Sequence, residues 1–242
     1  WFPRKMGEIV GRTRYWCDVM SLGPPDGQFM TEMKKGLQAV AQNSMNRRRS
    51  SQNSSSASDG AGPDKDDEKP IIVRMLFGNI VGMPVDCDAV IKDLTKDLPF
   101  LANLQLWVGA WRKGVSWNHA KIIAVDGQYL HTGGHNMWDY HYLKKNPVHD
   151  LSIELEGRIA HDGHLFANEQ WLFIELNQRT CCGQVVNRVP DSMPLLMQTR
   201  VTISEYPPRK ADEYAPRYDR NMMPHREPLE GRVPILSRGR YG

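Results

Sequence analysis

Apolar and polar positions divide the chain into two patterned stretches separated by a polar one. Arg12 to Leu22 is a strand candidate, closed by the turn Gly23-Pro24-Pro25-Asp26-Gly27. Phe29, Met33, Leu37 and Val40 then recur at helical spacing, with Asp26 placed to cap the helix. From residue 43 to residue 69 Ser, Asn, Arg, Asp and Gly dominate and apolar positions nearly vanish, which predicts a disordered insert. Patterning resumes at Pro70. Ile71 to Phe77 reads as a strand, and Cys87, Ile91, Leu94 and Leu98 line one face of a helix that Pro99 closes. Leu104 to Trp111, Trp117 to Val125 and Tyr129 to Thr132 are further strands, and Leu151, Ile153 and Leu155 alternate in another. Ile159, Phe166, Phe173 and Leu176 mark a long helix that contains Trp171.

One β-α unit followed by β-α-β-β-β-α predicts an α/β domain: a layered mixed β-sheet flanked by helices. The chain then divides into a first strand-helix unit (1–42), the insert (43–69), a core (70–177) and a connector (178–242) rich in Pro and Arg. Its 242 residues suffice for one ordinary domain with a sizeable core. The chain starts at Trp1 and regains some strand character only over Val233 to Gly242, so it reads as a fragment leading to a further, missing half. Compartment stays unassigned for the same reason.

Charge and cysteine content change this picture little. A net charge of +3 suits an anionic substrate surface but is too small to argue for nucleic acid by itself. The run Arg47-Arg48-Arg49 is followed by acidic residues and reads as solvated. No apolar run is long enough to cross a membrane. Cys17, Cys87, Cys181 and Cys182 form neither a Cys-x-x-Cys motif nor a disulfide framework. Trp107, Trp111 and Trp117 lie on strands, where aromatic residues mostly pack into cores.

Chemistry concentrates in residues 117–150. Alternation along a strand puts His119 and Lys121 on one face, and Asp126-Gly127 is a turn pair that returns the chain as a hairpin. Gly133 and Gly134 permit close backbone approach, and Asn136 follows with an amide able to donate to an oxyanion. A phosphodiester carries a negative charge that must be offset before a nucleophile approaches. Lys121, Asn136 and the Gly133 and Gly134 amides would do so, while an imidazole attacks phosphorus to give a covalent phosphohistidine. A lone His on a strand is ordinarily a surface or core residue. The pattern His-x-Lys-x4-Asp, however, would arise by chance only about 0.03 times in a chain of this make-up. His131, His135, His141, His149, His161 and His164 match no compact zinc spacing and read as solvated, so no metal is expected. Trp138 and His141 are near enough in sequence to line the mouth of the site.

His119, Lys121, Asp126, Gly133, Gly134 and Asn136 resemble the signature of the phospholipase D superfamily, His-x-Lys-x4-Asp-x6-Gly-(Ser/Gly)-x-Asn. The resemblance covers about residues 8–177 and is closest over 117–171. It implies a phospholipase D-like half domain with no cofactor, acting by metal-independent, two-step transfer through a phosphohistidine, with His119 as nucleophile. It also implies that Asp150 orients His119 through the second ring nitrogen, which leaves Asp126 as a turn-forming and network residue. Many members carry Ser where this chain has Gly134, which removes one hydroxyl donor. Members pair two His-x-Lys motifs, one His attacking and the other acting as acid and base. Since this sequence holds one motif, the second would come from a missing C-terminal half or a symmetric second chain. The expected substrate is a phospholipid, with peripheral membrane contact, or another phosphodiester such as nucleic acid. An inactive half-site serving as an interaction module is the reading from outside enzymology.

Overall fold

Three near-continuous apolar runs form the strands at the centre of the sheet, as expected of strands covered on both faces. They are Trp16–Ser21 (β1), Ile71–Gly78 (β2) and Leu104–Lys113 (β3), and they run parallel in the order β3-β2-β1. The structure is a computed structural model that describes residues 1–54, 69–99, 102–177, 183–188 and 205–206. Ile122–Val125 (β5) pairs antiparallel with β1, followed outward by Tyr129–Gly133 (β6) and Ser152–Glu156 (β7). Ser116–Trp117 (β4) pairs with the end of β3. Gly183–Arg188 (β8) also pairs antiparallel with β3, inside the stretch expected to be connector. The sheet is therefore mixed, with helices on both faces.

Helices Phe2–Gly11 (α1), Gly27–Ser54 (α2) and Cys87–Thr95 (α3) cover one face. Val19, Val73, Met75, Leu106 and Val108 pack there against Ile9, Phe29, Leu37 and Leu94. Ile159–Asn177 (α5) covers the other, where Ala167, Trp171 and Ile174 meet Met20, Leu76 and Trp107. Helix α1 was not anticipated, although Met6, Ile9 and Val10 fall at helical spacing behind Pro3. It crosses α2 at two glycines, and a Cβ on Gly36 would come within 2.6 Å of the Gly7 carbonyl.

Two expectations about α2 need correction. The helix runs past residue 42 to Ser54, so 43–54 is not a disordered insert; residues 55–68 lie outside the described residues. Polar side chains hold this extension: Asn43 donates to the carbonyls of Gly11 and Thr13, and Arg47 reaches the Arg14 carbonyl and lies over the Tyr15 ring. Arg47 is accordingly not a solvated charge. Nor does the Asp26 carboxylate cap α2. The Asp139 carboxylate accepts from the Gln28 and Phe29 amides, while Asp26 accepts from the Asp139 amide at 2.6 Å and so serves the short helix Asp139–Tyr142 (α4). Asp139→Ala is expected to destabilise the fold by about 1 kcal/mol. Urea unfolding checks this, with Asp26→Ala acting on α4 instead.

Three histidines expected to be solvated are buried instead. His164 is fully enclosed, and His131 and His161 are each 7% exposed. His131 lies on β6 under α1, near the Phe2 ring, and burial pushes its pKa down to about 4. An unfolded chain takes up this proton near 6.5, whereas the native protein does not until about 4. Stability should therefore fall by up to roughly 3 kcal/mol as pH drops through that window. Urea unfolding at pH 7 and pH 4.5 should give a smaller difference for His131→Gln than for wild type; equal differences would refute the assignment.

On the α5 face a polar group sits within the apolar layer. Arg74, 1% exposed, binds both oxygens of the fully buried Asp18 at 2.6 and 2.9 Å and also Asn168 at 2.8 Å. The Gly127 amide donates to Nε2 of His164, so the proton of that ring is on Nδ1, which donates to Asp18 at 2.6 Å. Tyr206 stacks on His164 at 4.0 Å, and Asn168 pairs with both its main-chain amide and its carbonyl. The remaining connector, residues 189–204 and 207–242, and the Cys181–Cys182 pair lie outside the described residues.

Candidate active site

Parallel strands bring their carboxyl ends to one edge, where open α/β sheets gather binding groups. β5 runs the opposite way and therefore delivers the residues before Ile122 to that same edge. Asn118 makes the turn. Its Nδ2 bridges the carbonyls of Ser21 and Leu76, at the ends of β1 and β2, and its Oδ1 accepts from the Ala120 amide. The predicted strand over Trp117–Val125 is thereby broken at residues 118–121, and His119 and Lys121 sit in the bend. Asn118 was missed, although an Asx turn is the kind of signal a sequence carries.

His119 is exposed, and no side chain among the described residues hydrogen-bonds its imidazole. Partial burial and the Lys121 charge lower its pKa, which keeps the ring neutral at neutral pH. Lys121 is 9% exposed, and its Nζ donates to the His119 carbonyl at 2.7 Å. Burial lowers the ammonium's pKa as well, opposed by the charge of Asp150. Asn136 Oδ1 accepts from the Leu22 amide at 3.3 Å, which assigns that atom as oxygen and leaves Nδ2 with no protein partner among the described residues.

Other candidates occupy different places. Asp126 stands at the far end of β5, about 17 Å of extended chain from Lys121. It adopts φ +52°, followed by Gly127 at φ +65°, and the Gln128 amide bonds the Val125 carbonyl, giving a type I′ hairpin. Its carboxylate accepts from the amides of Arg14, Tyr15 and Trp16, tying the α1–β1 loop to the hairpin. Burial nonetheless raises its pKa. The structure does not bring Asp126 to His119.

Both glycines make room inside the fold rather than for a ligand. A Cβ on Gly133 would strike the Leu151 carbonyl, and one on Gly134 would lie 2.5 Å from Asp150 Oδ1. The Gly134 amide already donates to the Leu151 carbonyl at 2.8 Å. Asp150 makes no bond to His119. Its Oδ2 accepts from the Tyr142 hydroxyl at 2.9 Å, and its charge acts on Lys121 and His135. Tyr142 and His135, whose Nδ1 lies 2.7 Å from Ser152 Oγ, were not among the candidates.

Beside the site, a mostly apolar cavity of about 490 Å³ opens between Leu22, Pro24, Ile80, Met83, Trp138 and Tyr140, with His141 on its wall. The Trp138 indole donates to the Pro24 carbonyl and packs on Gly23. Among the described residues no three His, Cys, Asp or Glu side chains gather closely enough to hold a metal ion. No described helix is long and apolar enough to cross a membrane.

The site is thus an imidazole and an ammonium at the carboxyl edge of a mixed sheet. The chain is 36% identical over 61 residues to a phospholipase D of Streptomyces antibioticus; that match spans 25% of this chain and 11% of the relative. No family model matches. Among solved structures, Nuc of Salmonella typhimurium, a phospholipase D family member, overlaps with TM-score 0.42 at 10% identity, covering 69% of this chain and 85% of that one. NucT of Helicobacter pylori gives the same TM-score and identity over 75% and 93%. The chain is related to the phospholipase D superfamily.

Proposed function

We propose that this chain supplies one half of a phosphodiesterase site that acts through a phosphohistidine on His119. The observation that carries the reading is a neutral, solvent-reaching imidazole without a side-chain partner among the described residues, two residues from an ammonium at the same sheet edge. An imidazole nitrogen attacks phosphorus, and the bond to the leaving alcohol's oxygen breaks. That oxygen takes a proton from a second histidine. Water then attacks the phosphohistidine, gives its proton to the second histidine, and releases the phosphate ester. Lys121 and Asn136 Nδ2 offset the charge on the phosphoryl oxygens.

The second histidine belongs to another motif, contributed by a second copy of the chain or by another segment of a longer polypeptide. An exposed edge supports such a partner: among the described residues β7 is the last strand on its side, with Leu151 and Ile153 uncovered. A phospholipid substrate is favoured by the apolar cavity beside Trp138 and by the likeness to the Streptomyces phospholipase D. Nucleic acid is the second reading, but a charge of +3 gives it little electrostatic support. The test is to quench the chain during turnover of a phosphorus-labelled phosphatidylcholine and of a chromogenic phosphodiester, at rising protein concentration. Acid-labile label on His119 is expected from the lipid; label on another residue, or turnover without label, would sink the proposal.

A further inference from the structure

We propose that Tyr142 is a positioning residue: its hydroxyl holds the Asp150 carboxylate against Gly134 and opposite Lys121. The role assigned to it rests on the phosphodiesterase reading of the site, but the arrangement can be tested without turnover.

Hydrogen-bond direction fixes what the phenol does. The Asn136 amide can only donate, and it meets the Tyr142 oxygen at 2.9 Å, so that oxygen is the acceptor there. Its single proton therefore goes to Asp150 Oδ2, also at 2.9 Å. Burial, followed by the neighbouring Asp150, pushes the phenol's pKa up to about 12, so it stays a donor across the working range. The ring is itself held, by His135 at 4.8 Å, Phe29 at 6.2 Å and Phe2 at 6.3 Å.

Asp150 needs such a holder. It is exposed, and it precedes β7 in residues 143–151, which belong to no helix or strand. Among the described residues Tyr142 is its hydrogen-bonding side chain. On the opposite side, Oδ1 occupies space that is open because residue 134 has no Cβ. Tyr142 and Gly134 thus bracket the carboxylate, and the same hydroxyl fixes the main chain at Asn136, whose side-chain Nδ2 has no protein partner among the described residues. The glycine that replaces a common serine in the motif is here the condition for this placement.

The groups that act on Lys121 are Asp150 and His119, and those that act on Asp150 are Tyr142, His135 and Lys121. The experiment follows the Lys121 ammonium in the 242-residue chain carrying ¹³Cε-labelled lysine, using Tyr142→Phe, Asp150→Asn and the double variant. Asp150→Asn should move the midpoint downward by about 0.5, because an opposing negative charge is removed. Tyr142→Phe keeps the ring and should move it the same way, and the double variant should match Asp150→Asn alone. Gly134→Ala, which crowds the carboxylate from the other side, should also lower it. An unmoved midpoint in Tyr142→Phe, or additive shifts in the double variant, overturns the inference. In turnover assays Tyr142→Phe should lower kcat/KM about tenfold and move its alkaline limb to lower pH. Midpoint shifts as expected, with no turnover even when a polypeptide carrying a second His-x-Lys motif is supplied, would refute the phosphodiesterase reading while upholding the placement.

Discussion

His119→Ala is expected to lower phosphodiester turnover by about ten-thousandfold, and Lys121→Met by about a thousandfold. The first change removes the proposed nucleophile, and an exposed alanine offers no atom to form the proposed covalent intermediate. The second leaves the imidazole in place but removes the cation that accompanies it. Its described neighbours do not replace that cation: Asp150 is negative, Asn136 is neutral, and the Gly134 amide already bonds within the fold. Because Lys121 Nζ uses one proton on the His119 carbonyl, two remain for phosphoryl oxygens. Lys121→Arg should not restore activity, since the planar guanidinium cannot reproduce that bond in the bend. Initial rates on a chromogenic phosphodiester, beside unfolding curves for each variant, decide the matter. Undiminished turnover in folded His119→Ala would remove the imidazole from the mechanism.

Arg74→Met should have the largest effect on stability, about 3–5 kcal/mol. Asp18 would then be a fully buried carboxylate whose remaining partners are the His164 Nδ1 proton at 2.6 Å and the Trp16 indole at 3.1 Å. Burial raises the Asp18 pKa, but the Arg74 charge together with His164 outweighs it and holds the group below its ordinary 3.8. A depressed carboxylate stabilises fully above its unfolded value, and that contribution fades as pH falls through the native one. The variant should therefore lose most near neutrality. Asp18→Asn combined with Arg74→Met should recover part of the loss, because no buried charge is then left unpaired. Urea unfolding at pH 7 measures both; a loss under 1 kcal/mol for Arg74→Met would show that solvent reaches Asp18.

Periodicity revealed the elements that bury apolar stripes. β1, β2, β3 and α3 were legible because Val19, Val73, Leu106 and Ile91 each occupy a core-facing position. α5 was found with its face misassigned: Ile159, Phe166 and Leu176 are exposed, and Ala167, Trp171 and Ile174 face the core. What escaped was held by polar contacts between segments distant in sequence. Residues 43–54 read as disordered because hydropathy cannot see Asn43 pairing with Gly11 and Thr13. Asp26 was the plausible cap by position, yet Asp139 lies closer to the first amides of α2 once the sheet has assembled. His164 looked solvent-facing because its partners, Asp18 and Gly127, are 146 and 37 residues away. The structure brings His119, Lys121 and Asn136 of the motif to one sheet edge. The motif alone could not tell which of its residues face a ligand and which hold the frame, since Asp126 and the two glycines make their contacts only in three dimensions.

The stitching between residues 22–28 and 136–139 has a mechanical consequence. Leu22 bonds Asn136, Asp26 bonds Met137 and Asp139, Gln28 bonds Asp139, and Trp138 bonds Pro24. A guest that displaces the indole must also loosen the opening turn of the longest helix. Displacement of Trp138 would therefore be resisted by the anchorage of a whole helical turn and not by one indole hydrogen bond alone.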